Sequence, residues 1–308
     1  MSKSEHARLD FYKEKSVLIT GGGTLGREIV KLLLEKGTKE IRIFDNAEQQ
    51  LFKCELDFQN DPRVSYLLGD VCDLDAINMA LPGVDVIIHT AACKFVNYIE
   101  YHPFKAIRTN VDGIINIIKA VINSYSVKKA VNISSDKACN PVSIYGYTKG
   151  LGERFFTWAD RVSPKAFCSV RFPNFYGSDG SVIDTWGRQG KAGLPITVTD
   201  KRMMRYFIGI REAAELTLDS LEFSEGGEIF VPADLAERSI MEIAEEFSER
   251  YGVPIRLTGK RLGERLREPL MTEIEYDMAT QEGKFWRIDP KKEFIGTPHY
   301  LYNAYREK

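Results

Sequence analysis

The sequence predicts an α/β fold: a doubly wound parallel sheet followed by a smaller C-terminal α/β lobe. Three observations predict it. Short β-branched runs alternate with helical patterns through the first half of the chain. A glycine-rich turn joins the first strand to the first helix. After about residue 175 the alternation loosens, and Gly and Pro punctuate residues 177–195.

The elements follow in order. Strands are expected at 16–20 (SVLIT), 40–44 (EIRIF), 64–68 (VSYLL), 84–88 (VDVII), 130–134 (AVNIS) and 167–171 (FCSVR). Between them, residues 25–36 and 111–124 carry apolar residues at spacings of three and four, the mark of a helix with one buried face. Alternation of this kind gives a parallel sheet covered on both sides. In the second half a helix is expected over 212–221, a strand over 228–232 and a helix over 240–251, and the charged stretch from Lys260 reads as irregular. The chain thus divides into a dinucleotide-binding domain, 1–175, and a discontinuous lobe, 176–308, that packs on the carboxyl edge of the sheet.

Composition excludes several classes of function. The 308 residues hold 42 basic and 44 acidic side chains, a net charge of −2, so no field exists to attract nucleic acid or an anionic membrane. Any phosphate-bearing ligand must be held by local groups. Five scattered cysteines, Cys54, Cys72, Cys93, Cys139 and Cys168, form no CxxC pair. They argue for a reducing compartment, and against a disulfide framework or a metal site. The first 15 residues are charged and lack an apolar core, and no apolar run approaches a membrane span. A cytoplasmic protein is the expectation.

The turn TGGGTLG places Gly21, Gly23 and Gly26 in a GxGxxG pattern, with Thr24 and Leu25 opening the helix. Such a turn lets the backbone approach a pyrophosphate at a helix N-terminus. Asp45 closes the second strand, where a carboxylate accepts hydrogen bonds from an adenosine ribose and repels a 2′-phosphate. NAD is therefore expected, with NADP as the alternative; a plain turn-starting Asp would look the same. Asp70 and Val71, after the third strand, read as the pair flanking an adenine, or as a simple turn.

Tyr145 and Lys149 form YxxxK, four apart on one helical face. An ammonium beside a phenol favours the phenolate, which can take a proton from a sugar hydroxyl as hydride leaves for a cofactor. Ser135 ends the preceding strand, and Asn110 is placed to brace the lysine through water, although a helix-start Asn is an equal reading.

Residues 133–150, ISSDKACNPVSIYGYTKG, resemble the active-site segment of soluble UDP-N-acetylglucosamine 4,6-dehydratases, in the polysaccharide-biosynthesis branch of the extended short-chain dehydrogenases. Similar blocks follow in family order at 89–111, 177–182, 199–208, 226–232 and 259–268. The resemblance implies a UDP-sugar substrate, a homo-oligomer and specific roles. Lys137 would be the base that removes the proton at sugar carbon 5, and Asp136 the acid that protonates the leaving hydroxyl at carbon 6. An Asp–Lys pair this close should titrate as a unit, so roles within it are interchangeable on sequence grounds. Ala91 and Ala92 would line the cofactor. Lys94, Asn174, Val182, Thr199, Arg205, Arg261 and Glu264 would hold the nucleotide sugar. The chain departs from the family in a Gly-rich loop one residue shorter, and in Phe95, Asn97, Pro173, Phe175 and Tyr176. The alternatives are a UDP-sugar 4-epimerase, which has no use for Lys137, and a non-catalytic NAD(P)-binding protein, which has no use for Tyr145 and Lys149 together.

Overall fold

A computed structural model describes residues 11–59 and 61–289. The charged segment 1–10 and the last part of the expected lobe, 290–308, lie outside the described residues.

The first half runs β1 (Ser16–Thr20), α1 (Thr24–Glu35), β2 (Glu40–Asp45), α2 (Glu48–Phe58), β3 (Val64–Leu68), α3 (Leu74–Ala80), β4 (Val86–His89), α4 (Val96–Tyr101), α5 (Pro103–Ile107), α6 (Gly113–Asn123), β5 (Lys129–Ser135), α7 (Ile144–Val162) and β6 (Ala166–Phe172). The second half runs β7 (Asn174–Phe175), α8 (Val182–Lys191), β8 (Ile196–Val198), β9 (Met204–Ile208), α9 (Ile210–Phe223), β10 (Ile229–Pro232), β11 (Glu237–Ser239), α10 (Ile240–Tyr251), β12 (Ile255–Leu257), α11 (Glu273–Met278), β13 (Ala279–Glu282) and β14 (Phe285–Ile288).

Nine strands form one sheet in the order β13-β14-β10-β6-β5-β4-β1-β2-β3. All pairs from β10 to β3 are parallel, and β14 and β13 close one edge antiparallel. Strand order reverses between β1 and β4, and a doubly wound sheet binds its ligands in the crevice above such a reversal. Alternation in β1 decides which layer each residue feeds. Val17 and Ile19 join the core under α1 and α9, while Leu18 joins Ile87, Ile117 and Phe156 under α6 and α7. The smaller lobe has its own core, where Trp186 of α8 packs with Ile243 and Phe247 of α10.

Two features differ from the sequence reading. The segment beyond Lys260, expected to be irregular, contains α11 and the β13–β14 pair. Thr272 and Glu275 form a capping box that starts α11, and Phe285 and Ile288 turn their side chains into the core. β13 buries none of its residues and β14 only its two ends, so no alternating pattern marks these strands in the sequence. The helix expected from residue 111 is also preceded by a π-helical turn, Arg108–Asp112, that carries Asn110. Such turns occur often beside functional sites because they re-aim one side chain. Among the described residues, no helix is long and apolar enough to cross a membrane.

Candidate active site

A cleft of about 980 Å³ opens above the β1–β4 reversal, between the carboxyl edge of the sheet and the smaller lobe. The glycine-rich turn forms one end. Gly21 has φ +97°, and a side chain there would collide with Thr90 and the Ala91 backbone. The same spot at Gly23 meets no protein atom nearer than Gln50 at 4.0 Å, so only cleft space lies in front of it. Gly23 caps α1 without any side-chain hydrogen bond, and the first turn of that helix has no acidic residue. Free N–H groups at a positive helix end beside open space fit a phosphate-bearing dinucleotide.

Asp45 is on the cleft wall, and its carboxylate accepts N–H bonds from Gly22 (2.7 Å) and Ala47 (2.8 Å). It therefore braces the turn as well as facing the ligand space. Val71, Ala91 and Ala92 line the same end. Asp70 does not: its carboxylate accepts from the Cys72 N–H and the Asn46 amide. Asn110 is also behind the wall. Its side chain bonds both backbone groups of Cys93 and the Thr148 hydroxyl, so it ties the strand-edge loop to α7.

At the other end Ser135, Asp136, Lys137, Tyr145 and Lys149 converge on one wall. The Asp136–Ala138 turn packs directly on α7, and a side chain at Gly146 would fall on the Lys137 carbonyl oxygen. This glycine, inside the YxxxK motif, is what lets the helix bring Tyr145 against the turn. Lys137 Nζ lies 3.0 Å from Asp136 Oδ1, with the carboxylate side chain 3% exposed and the lysine 20%. Asp136 also accepts from the Ser135 hydroxyl (2.8 Å) and from Asn174 Nδ2 (3.4 Å). Burial pushes the Tyr145 phenol well above its ordinary range; the Ser135 hydroxyl opposes this and the Asp136 charge adds to it. Burial also pushes Lys149 down to about 8, against the pull of Glu153.

Beneath the site a polar row crosses the buried sheet, from Thr20 through His89 and Asn132 to Ser169 on four neighbouring strands. His89 Nδ1 pairs with Thr20 Oγ1 at 2.7 Å, and Nε2 has no partner among the described residues. Burial, with the Lys149 charge, pushes this ring down to about 3 from 6.5. Below about pH 6.5 the unfolded chain therefore binds a proton that the folded chain refuses. Its contribution is destabilising as pH falls from 6.5 towards about 3. In chemical denaturation across that window, His89→Gln should lose less stability than the parent, by roughly one proton per molecule in the slope. Equal slopes would show that His89 is not the group responsible.

The residues implied for the sugar divide. Lys94, Asn174 and Val182 are on the wall. Lys94 Nζ reaches the Asp179 carbonyl (2.8 Å), and the Asp179 N–H reaches Thr24 Oγ1 (3.2 Å), so residues 177–181 bridge the glycine turn and the β4–α4 loop. Thr199, Arg205, Arg261 and Glu264 are off the wall. Thr199 turns to Met203 Sδ. The Arg205 guanidinium donates to the carbonyls of Met204, Arg265 and Leu266. Glu264 accepts from the Arg261 N–H on an exposed turn. Two cations on the wall escaped the sequence reading: Lys105, and Arg188, which pairs with Asp184 one turn earlier on α8. For Arg188 the signal was present in the helical spacing after the 177–182 block, where Asp184 and Arg188 share a face.

Comparison with known proteins adds the lineage. Residues 17–290 match a family described as polysaccharide biosynthesis protein. An uncharacterized membrane protein of Methanocaldococcus jannaschii is 40% identical, over 90% of this chain and 86% of its own. A UDP-N-acetylglucosamine 4,6-dehydratase (inverting) of Campylobacter jejuni subsp. jejuni serotype O:2 is 33% identical, over 96% and 90%. A UDP-glucose 4-epimerase of Rickettsia bellii is 33% identical, over 90% and 83%. The X-ray structure of Pen from Bacillus thuringiensis superimposes with a TM-score of 0.87 at 36% identity, covering 91% of this chain and 90% of that one. With a family match across nearly its whole length, an extended Rossmann fold and the Tyr145–Lys149 pair in the cleft, the chain belongs to the polysaccharide biosynthesis protein family of short-chain dehydrogenase/reductase-like proteins.

Proposed function

We propose that the chain is an NAD-dependent UDP-N-acetylhexosamine 4,6-dehydratase, acting on UDP-N-acetylglucosamine and releasing a 4-keto-6-deoxy sugar. One observation carries this reading: Asp136 and Lys137 share a wall with Tyr145 and Lys149. The Campylobacter relative supports the substrate and the reaction. The Gly21–Gly26 turn and Asp45 would hold NAD, and the bound cofactor would supply the hydride acceptor for carbon 4 and the hydride donor for carbon 6.

Tyr145 takes the proton of the carbon 4 hydroxyl, and Lys149 stabilises the phenolate. The resulting ketone acidifies the neighbouring carbon 5. Lys137 then removes the carbon 5 proton while Asp136 gives a proton to the departing carbon 6 oxygen, so water leaves and a carbon–carbon double bond forms. An ion pair is the wrong starting form for this step, since the base is protonated and the acid is not. A proton shift from Nζ to Oδ1 along the 3.0 Å contact supplies both groups without changing the charge of the site. Asn174 and Ser135, both bonded to Asp136, hold its carboxyl in place for that shift.

The Rickettsia relative favours a second reading, 4-epimerisation with the same tyrosine and lysine. Mass spectrometry after incubation with UDP-N-acetylglucosamine and NAD separates the two: a dehydratase product is lighter by one water, and an epimerase product has unchanged mass. The cofactor preference rests on Asp45. Asp45→Ala should narrow the ratio of NADP to NAD dissociation constants by roughly tenfold, the size of one lost charge contact. An unchanged ratio in a fluorescence titration would remove Asp45 from cofactor selection.

A further inference from the structure

Arg171, at the end of β6, is 1% exposed, and its guanidinium is held from two sides. Nε and Nη2 donate to Glu153 at 3.0 and 2.7 Å. Nη1 and Nη2 donate to Glu275 at 2.9 and 2.7 Å, and Nη1 also reaches the Leu270 carbonyl at 2.9 Å. Glu153 lies one helical turn after Lys149 on α7 and accepts the Ser134 hydroxyl at 2.6 Å. Glu275 comes from α11, where the Thr272 N–H and hydroxyl also bond it. One node therefore touches the helix carrying Tyr145 and Lys149, the strand that ends at Ser135 and the strand that leads to Asn174.

Charge in this node is not balanced by its own members. Two carboxylates face one guanidinium, leaving one negative charge in a set whose Arg171 and Glu153 side chains are buried and whose Glu275 side chain is 13% exposed. Buried ions persist when such excess is compensated. Lys149, 4% exposed, is the buried cation one turn earlier on the helix, whereas Arg154 beside Glu153 is exposed. Among the described neighbours, His89 from β4 stays neutral down to about 3, and burial pushes the Cys139 thiol beside Glu275 up to about 12. The Arg265 charge also acts on that thiol, but its guanidinium donates to the Asn140 carbonyl and to neither carboxylate of the node. The pull of Glu153 on Lys149 opposes its burial.

We propose that Glu275 is a positioning residue for the catalytic lysine: by taking half of the Arg171 guanidinium it leaves Glu153 charge for Lys149, completing a neutral buried set of two carboxylates and two cations. Nothing in the linear sequence joins Glu275 to the YxxxK motif. The segment carrying Glu275 thereby acts on proton transfer through Arg171 and Glu153, although none of its described residues lines the cleft.

The inference rests on Tyr145 and Lys149 being the proton-transfer pair. Its test uses the full chain labelled with 13C-lysine, the Lys149 resonance being assigned with Lys149→Met. Lys149 is read by NMR titration, and conversion of UDP-N-acetylglucosamine by its pH profile. Glu275→Gln keeps the shape and removes one negative charge, which favours the neutral amine. The Lys149 midpoint should fall from about 8 by roughly one pH unit, and the alkaline limb of activity should move down with it. Glu275→Asp keeps the charge and should restore most of the parent midpoint. A purely structural role would lower stability and turnover in both variants without moving either midpoint, and that result overturns the proposal. Should Glu275→Gln fail to fold, the parent still decides: a Lys149 already neutral at pH 7 rules out the charge balance. Conversion of the sugar with no NMR shift sinks this inference alone. A clear shift with no conversion supports it and sinks the substrate assignment.

Discussion

Tyr145→Phe is expected to reduce turnover of UDP-N-acetylglucosamine by about 10²–10⁴-fold while leaving the fold and the affinity for NAD nearly intact. The substitution deletes one oxygen and no apolar contact. Among the described residues the Tyr145 side chain has a single polar neighbour that favours its ionised form, the Ser135 hydroxyl. Stability should therefore change by no more than about 1 kcal/mol, the net worth of one hydrogen bond. The chemistry has no substitute: Lys149 is one helical turn deeper, and Lys137 is committed to Asp136 at 3.0 Å. Stopped-flow absorbance of the reduced nicotinamide should show no transient in this variant, because both reading and rival begin with oxidation at carbon 4. Turnover at the parent rate would end any role for the YxxxK pair and leave an NAD-binding protein without this catalysis.

Lys137→Ala should produce the opposite split. Oxidation at carbon 4 should persist, so reduced nicotinamide accumulates, while release of the dehydrated product falls by about 10²–10⁴-fold. Two consequences of the substitution must be separated. Losing the base stops elimination. Losing the ammonium also leaves Asp136 buried with, among the described residues, Ser135 and Asn174 as its side-chain partners, a cost of about 1–3 kcal/mol in stability. A thermal melt measures the second effect, and only the first changes the ratio of reduced cofactor to product. Normal dehydration by a folded Lys137→Ala enzyme would exclude the mechanism. An epimerase would lose little on this substitution, so the same variant also separates the two reactions proposed for the family member.

Legibility of the fold followed local signal strength. Strands β1, β3 and β10 and helix α10 read from the chain within a residue or two, because β-branched runs and a clean 3.6-residue period need no tertiary information. β13 and β14 did not, since their strand character comes from pairing with β10 and from Phe285 and Ile288 entering a core assembled by distant segments. The same contrast runs through the site. Gly21, Asp45, Tyr145 and Lys149 were singled out by their short spacings around strand ends and Asp136 and Lys137 by resemblance, and all six line one cleft. Thr199, Arg205, Arg261 and Glu264 were also assigned by resemblance; here the side chains of Thr199, Arg205 and Glu264 bond the protein itself, Glu264 by accepting the Arg261 backbone N–H, and none of the four lines the cleft.

By itself, the amino-acid sequence determined the alternating α/β order, the phosphate turn and the pairing of Tyr145 with Lys149, all of which arise from residues within one or two turns of each other. Tertiary structure alone decided that Asp136 and Lys137 meet Tyr145, because that approach depends on Gly146 letting α7 seat against a turn at the end of β5. It alone decided that Glu153, Arg171 and Glu275 form one buried node, since a charge so far along the chain acquires a partner only when folding excludes water between them.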